Sequence, residues 1–178
     1  MAGCAESNAE ILASSIIDWR DEDSVSLAQG AEDDFYTSLK FPYECKDAPF
    51  DFLDELLLVR GMSATIYDKV KNDLTAWGSG MVNINTASVG VLVVLGLDEP
   101  LALKVLAYRA SEDATEGTQD DLYFMNVAAL AAQLSLKVSL EAKELAQLSN
   151  LAASGLAGVA SKSFLVTSDA GSEYKKEH

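Results

Sequence analysis

Seven carboxylates fall inside one 17-residue window, and six of them are candidate ligands: Asp18, Asp21, Asp23, Glu32, Asp33 and Asp34. Brought together without a counter-charge, such groups repel and raise one another's pKa. A hard divalent cation would relieve that repulsion. Ca2+ suits the set, because it accepts about six to eight oxygens in loose geometry. The spacing is close to an EF-hand without being one. Counted from Asp21, Asp23 and Glu32 take loop positions 3 and 12, but Val25 and Ser26 stand where a ligand and the obligatory glycine belong. A solvated acidic loop is the competing reading, and the residues alone leave both open.

Other chemistry is sparse. There is no Gly-x-Ser-x-Gly and no phosphate loop, and the single histidine is the terminal His178. The chain therefore does not read as an enzyme. Cys4 and Cys45 lack a CxxC or metal-type spacing, and they read as two thiols unless the fold brings them into bonding range.

Charge narrows the choice of partner. With 13 basic and 28 acidic side chains the net charge is −15. Phosphate binding works by cations displacing counterions, and the longest cationic run here is Lys175-Lys176. Nucleic acid and anionic lipid are thus disfavoured. No apolar run of 18 residues appears and Met1-Ala-Gly-Cys4 does not begin a signal peptide, so the opening reads as the interior of a longer protein.

The elements that must position the carboxylates follow from periodicity and punctuation. A helix is expected from Ser7 to Trp19, with Ile11, Ile16 and Ile17 near one face. Trp19, Phe35, Tyr36 and Tyr43 are expected to be buried, fixing the ends of the acidic loop. Asp51 is placed to cap a helix over Phe52 to Val59, Gly61 to break it, and Ala64 to Leu74 to form its partner. A second pair of helices is expected between Met81 and Arg109. Thr86 or Ser88 would cap the first, Val89, Leu92, Val93 and Leu95 would form its apolar face, and Gly96 would end it in a left-handed turn. Pro100 fits the first turn of the second, and Asn83 and Asn85 suit local turns ahead of the pair. Ser111 to Asp121 reads as a solvated loop, Met125 to Leu134 and Leu140 to Leu148 as helices, and Ser163 to Thr167 as a strand. Two such helical pairs are helix-hairpin-helix-like. That unit commonly grips DNA backbone, but this one carries Asp98 and Glu99 where basic residues would serve. A nucleic-acid-binding module is therefore the alternative reading, and a packing scaffold is preferred.

The order of motifs carries a resemblance. Asp18-Trp19-Arg20-Asp21-Glu22-Asp23, Gly30-Ala31-Glu32-Asp33-Asp34-Phe35-Tyr36, Ala48-Pro49-Phe50 with Asp54-Glu55-Leu56, Val59-Arg60-Gly61-Met62 and Val82-Asn83-Ile84-Asn85-Thr86-Ala87 follow one another as in minor pseudopilin K of bacterial type II secretion. The chain resembles that family well from Ile11 to Arg109 and loosely to Phe164. The resemblance implies a mainly α protein, a helix-hairpin-helix-like (SAM-like) helical domain inserted into a truncated pilin-like α/β fold. It implies a division into 1–34 (lead-in helix and acidic loop), 35–150 (inserted helical domain) and 151–178 (return strand and tail). It further implies a structural role at the tip of a periplasmic pseudopilus, with minor pseudopilins I and J as partners and two Ca2+ ions held among Asp18, Asp21, Asp23, Glu32, Asp33 and Asp34. The family's membrane-anchoring N-terminal helix is absent from this sequence. Cys45 and Asp47 depart from the family, which more often has a basic or small residue and Asn there.

Overall fold

The structure is a computed structural model and describes residues 6–162. The elements run α1 (Glu6–Asp18), α2 (Asp33–Tyr36), a 3₁₀ helix (Leu53–Leu58), α3 (Ala64–Val70), β1 (Val82–Asn83), α4 (Val89–Val94), α5 (Glu99–Ala110), a 3₁₀ turn (Val127–Ala129), α6 (Leu130–Ser135), α7 (Ala142–Ser154) and β2 (Ala157–Gly158). The protein is thus mainly helical with one small sheet. None of the described helices is long and apolar enough to cross a membrane. The strand expected at Ser163 to Thr167, and Cys4, lie outside the described residues.

Two apolar clusters organise the molecule. The first joins Trp19, Ala31, Tyr36, Cys45 and Val59, with Leu12, Ile16, Phe35, Leu39, Tyr43 and Phe50 packed against it. It draws on both sides of residue 34, where the resemblance places a boundary. Trp19 and Tyr36 are buried and meet edge to face at 5.1 Å, a geometry that aligns the ring edge of one with the negative face of the other. Phe35 and Tyr43 are only half-buried, because each covers the rim of this cluster rather than its centre.

The second, larger cluster is built by α4 to α7 around Leu92, Leu101, Leu130 and Leu134. Ser88 caps α4 by accepting the Val91 N–H, and Asp98 caps α5 by accepting the Leu101 N–H. Between them Gly96 has φ +99°. Its N–H donates to Val93 O and the Leu97 N–H donates to Leu92 O, closing a Schellman turn. The expected apolar face of α4 is only partly right. Leu92 is buried, but Val93 is exposed, since the six-residue helix offers one narrow stripe to the core.

Three expectations are corrected. The Phe52 to Val59 helix is a 3₁₀ helix, and Asp51 does not cap it; Glu55 Oε1 reaches back to accept from the N–H groups of Asp51 and Phe52. The helix expected to reach Leu74 stops at Val70. Asn85 does not serve a local turn. Its amide donates to Phe124 O and Val159 O at 3.0 and 2.9 Å, and its Oδ1 accepts from the Phe124 N–H, so it ties segments 39 and 74 residues away. Buried Arg109 completes this knot by donating to Ile84 O and Ala87 O and pairing with Glu116. Beside it, β1 and β2 pair in parallel, Val82 opposite Ala157 and Asn83 opposite Gly158.

Two substitutions test this account. Asn85→Asp removes both amide donors while keeping the shape, and urea unfolding should show a loss of about 2–3 kcal/mol. Gly96→Ala meets no neighbouring atom, so its cost is conformational alone and should be roughly 1 kcal/mol or more. Wild-type stability in the second variant would contradict the left-handed turn.

Candidate cation site

The site begins with a buried carboxylate. Asp18 ends α1 and is completely buried. Its two oxygens accept from the Leu27 N–H at 3.3 and 3.2 Å, which folds the intervening loop back toward α1. Gly30 then passes so close that a Cβ there would lie 1.8 Å from Asp18 Oδ2, so no larger residue fits. Arg60 fixes the same turn by donating to Gly30 O at 2.8 Å. Two residues later, Glu32 arrives beside the start of the loop.

Asp21, Asp23 and Glu32 each place a ligand oxygen within 4.8 Å of the others. Oxygens on opposite sides of a calcium ion lie about 5 Å apart, given bonds of roughly 2.3–2.6 Å, so the spacing admits one ion. Two buried oxygens here, Asp21 Oδ1 and Glu32 Oε1, have no hydrogen-bond partner. The cationic side chains with ion pairs are engaged elsewhere: Lys46 with Asp51 and Glu55, Lys104 with Glu144, Lys143 with Asp98 and Arg109 with Glu116. The residues present therefore fit a hard cation, and among the described residues none of these ion pairs reaches Asp21, Asp23 or Glu32.

Electrostatics says the same. Burial pushes the Glu32 carboxyl up to about 7, helped by the neighbouring charges of Asp18, Asp21 and Asp47 and opposed by a hydrogen bond with Cys45. Asp21 is also raised, first by desolvation and then by Asp23, Asp18 and Asp47.

The remaining residues of the expected set do other work. Asp18 holds the loop through Leu27. Asp33 Oδ1 accepts from the Cys45 N–H at 2.6 Å and so pins the following segment to α2. Asp34 is exposed in the first turn of α2 and joins neither group of ligand atoms. The residues that spacing missed are Cys45 and Asp47, whose ligand atoms form a second group with Glu32 within the same 4.8 Å. Asp47 has φ +49°, an uncommon conformation that turns the chain there. The one hint in the sequence was that these two positions depart from the family pattern.

Residues 2–79 match the family described as type II secretion system (T2SS), protein K. Type II secretion system protein K of Aeromonas hydrophila is 37% identical over 94 residues, covering 49% of this chain and 28% of that protein. The Klebsiella pneumoniae protein of the same name is 28% identical over 128 residues, covering 71% of this chain and 38% of its own length. The chain thus spans about a third of these curated relatives. A chain of the crystal structure of the GspK–GspI–GspJ complex from the type 2 secretion system of enterotoxigenic Escherichia coli shares the fold, with TM-score 0.58, 21% identity, and coverage of 89% of this chain and 51% of that one. The chain is thus similar to type II secretion system protein K, by a family match that covers residues 2–79.

The raised carboxyls set a pH dependence. With a folded-state value of about 7 against an ordinary 4.5, Glu32 contributes stability that is fully present below about 4.5 and lost as pH rises through about 7. Asp21 acts in the same direction. In chelator, the melting midpoint should therefore fall as pH is raised across this window, and Glu32→Gln should flatten the fall. The same slope in parent and variant would remove Glu32 as its source.

Proposed function

We propose that this chain is the periplasmic part of a minor pseudopilin at the tip of the type II secretion pseudopilus, where it assembles with minor pseudopilins I and J for protein export. The observation that carries this reading is the fold shared across nearly nine-tenths of the chain with a chain of the GspK–GspI–GspJ complex. In the full protein, a hydrophobic helix ahead of this part would anchor it in the inner membrane. The role is structural: its residues orient and pack, and the site built from Asp18 to Glu32 holds a cation.

That cation is Ca2+, taken by Asp21, Asp23 and Glu32, with Asp18 setting the loop that presents them. When bound, it supplies positive charge to oxygens that otherwise repel one another, and so fixes the loop against Trp19 and Tyr36. Mg2+ should replace it poorly, since it resists dehydration and demands a tight octahedron. A nucleic-acid-binding role is not favoured. The hairpin N–H groups of Gly96 and Leu97 are bonded internally, and Asp98 is engaged with Leu101 and Lys143.

Mixing this chain with the soluble parts of minor pseudopilins I and J should give a single ternary peak on size exclusion. Calcium at a hundredfold excess over its dissociation constant should stabilise the chain by about 2.7 kcal/mol by mass action. Asp21→Ala combined with Glu32→Ala should remove that shift. Separate elution at micromolar concentration, together with a salt-sensitive gel shift on duplex DNA, would favour the nucleic-acid alternative.

A further inference from the structure

The acidic loop is held from outside as well as from within. Arg60 lies 30 residues beyond Gly30, in the turn between the 3₁₀ helix and α3, yet its Nη1 donates to Gly30 O at 2.8 Å. We propose that Arg60 is the positioning residue of the cation site. It sets the fold-back that presents Glu32 to Asp21 and Asp23, and it couples the order of that loop to the hairpin of the 3₁₀ helix and α3. The inference deepens the cation reading above, and rests on it for the link to metal affinity.

The turn that carries Arg60 is itself fixed from several directions. The Met62 N–H donates to Val59 O at 3.1 Å, and Gly61 between them has φ +87°, the conformation a type II turn requires at its third position. A Cβ at Gly61 would lie 3.4 Å from Ile11 Cγ2, so the turn rests on α1. The Arg60 N–H donates to the Tyr36 hydroxyl at 3.2 Å, and the Tyr43 hydroxyl donates to Leu58 O at 2.8 Å. Val59 is buried in the same cluster as Trp19 and Tyr36.

The side chain is equally constrained. Its guanidinium stands 4.8 Å from the centre of the Phe35 ring, a contact that orients the planar fork. Among the described residues it makes no ion pair. An arginine shared between a neutral carbonyl and a ring serves position rather than charge balance. Gly30 is where position matters most. Its α-carbon passes against the Asp18 carboxylate and its carbonyl is held by Arg60, two residues before Glu32. Releasing that carbonyl frees Glu32 to leave Asp21 and Asp23. Groups that orient ligands without touching the metal commonly change its affinity by about 10–100-fold when removed. Coupling of this kind is reciprocal, so whatever orders the loop also orders the hairpin.

Hydrogen exchange and calorimetry on the whole chain test the coupling. In the unmutated chain, calcium should slow exchange of the Leu27 amide and, across the joint, of the Arg60 and Met62 amides by about tenfold or more. The Leu97 amide, in the α4–α5 turn of the other cluster, should change by less than about twofold. In titration, Arg60→Met should weaken calcium binding by about tenfold or more. Arg60→Lys should weaken it comparably, since it keeps the charge and loses the fork. Tyr67→Phe removes the bond from α3 to Asp54 without touching the loop, and should leave the affinity unchanged. Unchanged affinity in Arg60→Met, full affinity in Arg60→Lys, an equal loss in Tyr67→Phe, or equal slowing of Leu97 would overturn the proposal. If Arg60→Met does not fold, the exchange pattern of the unmutated chain decides. A parent chain that takes up no calcium sinks the calcium reading, and Leu27 exchange in chelator then decides for Arg60. A rate faster by about tenfold in Arg60→Met and unchanged in Tyr67→Phe upholds the coupling; equal rates in all three chains overturn it.

Discussion

The burial of Asp18 constrains everything around it. A carboxylate removed from water costs several kcal/mol unless it is compensated, and this one sits at the C-terminal end of a helix, whose dipole already disfavours negative charge. The last turn of α1 holds no basic residue to offset it. Its compensation is the Leu27 N–H, and accepting that bond obliges the loop to fold back. The fold-back forces Gly30 against the carboxylate and delivers Glu32 to Asp21 and Asp23. Loop shape, glycine identity and the acidic cluster are therefore consequences of one buried charge.

Cations are distributed so that they do not relieve this cluster. Lys46 clamps Asp51 and Glu55 and so fixes the entrance to the 3₁₀ helix. Lys104 reaches from α5 to Glu144 of α7 and also donates to Ser139 O, while Lys143 of α7 pairs with Asp98 ahead of α5. The last two pairs join segments 40 and 45 residues apart. Exposed pairs of this kind contribute little each, but they determine which faces meet. Basic side chains serve as ties between segments, and the acidic loop keeps its deficit of positive charge.

How far the sequence revealed this differs from residue to residue. The partial EF-hand register named Asp21, Asp23 and Glu32, the three carboxylates that do converge, because loop positions 1, 3 and 12 encode a fold-back whether or not the remaining ligands are present. Asp33 and Asp34 follow Glu32 in the chain, but α2 starts there and its turn directs them to other tasks. Cys45 and Asp47 arrive from a later segment, so no spacing rule reaches them. In the helical part, local signals worked where the chemistry is local. Ser88, Gly96 and Pro100 act where their types place them. Asn85 and the β1–β2 pair were not legible because their partners lie 39 to 75 residues away. The Phe52 to Val59 segment reads as a helix, and its apolar residues do not distinguish the 3₁₀ form it takes from the α form.

The parallel pairing of Val82–Asn83 with Ala157–Gly158 has a mechanical meaning. It places the chain's entry into α4–α7 next to its exit, so the whole helical unit hangs from one two-residue clasp. Tension applied along the chain enters at the N-terminal end of β1 and leaves at the C-terminal end of β2, at opposite ends of parallel strands. The bonds from Val82 N–H to Leu156 O and from Ile84 N–H to Gly158 O are then loaded together in shear rather than opened in turn. A pulling force along the chain would thus load the clasp before the helices behind it.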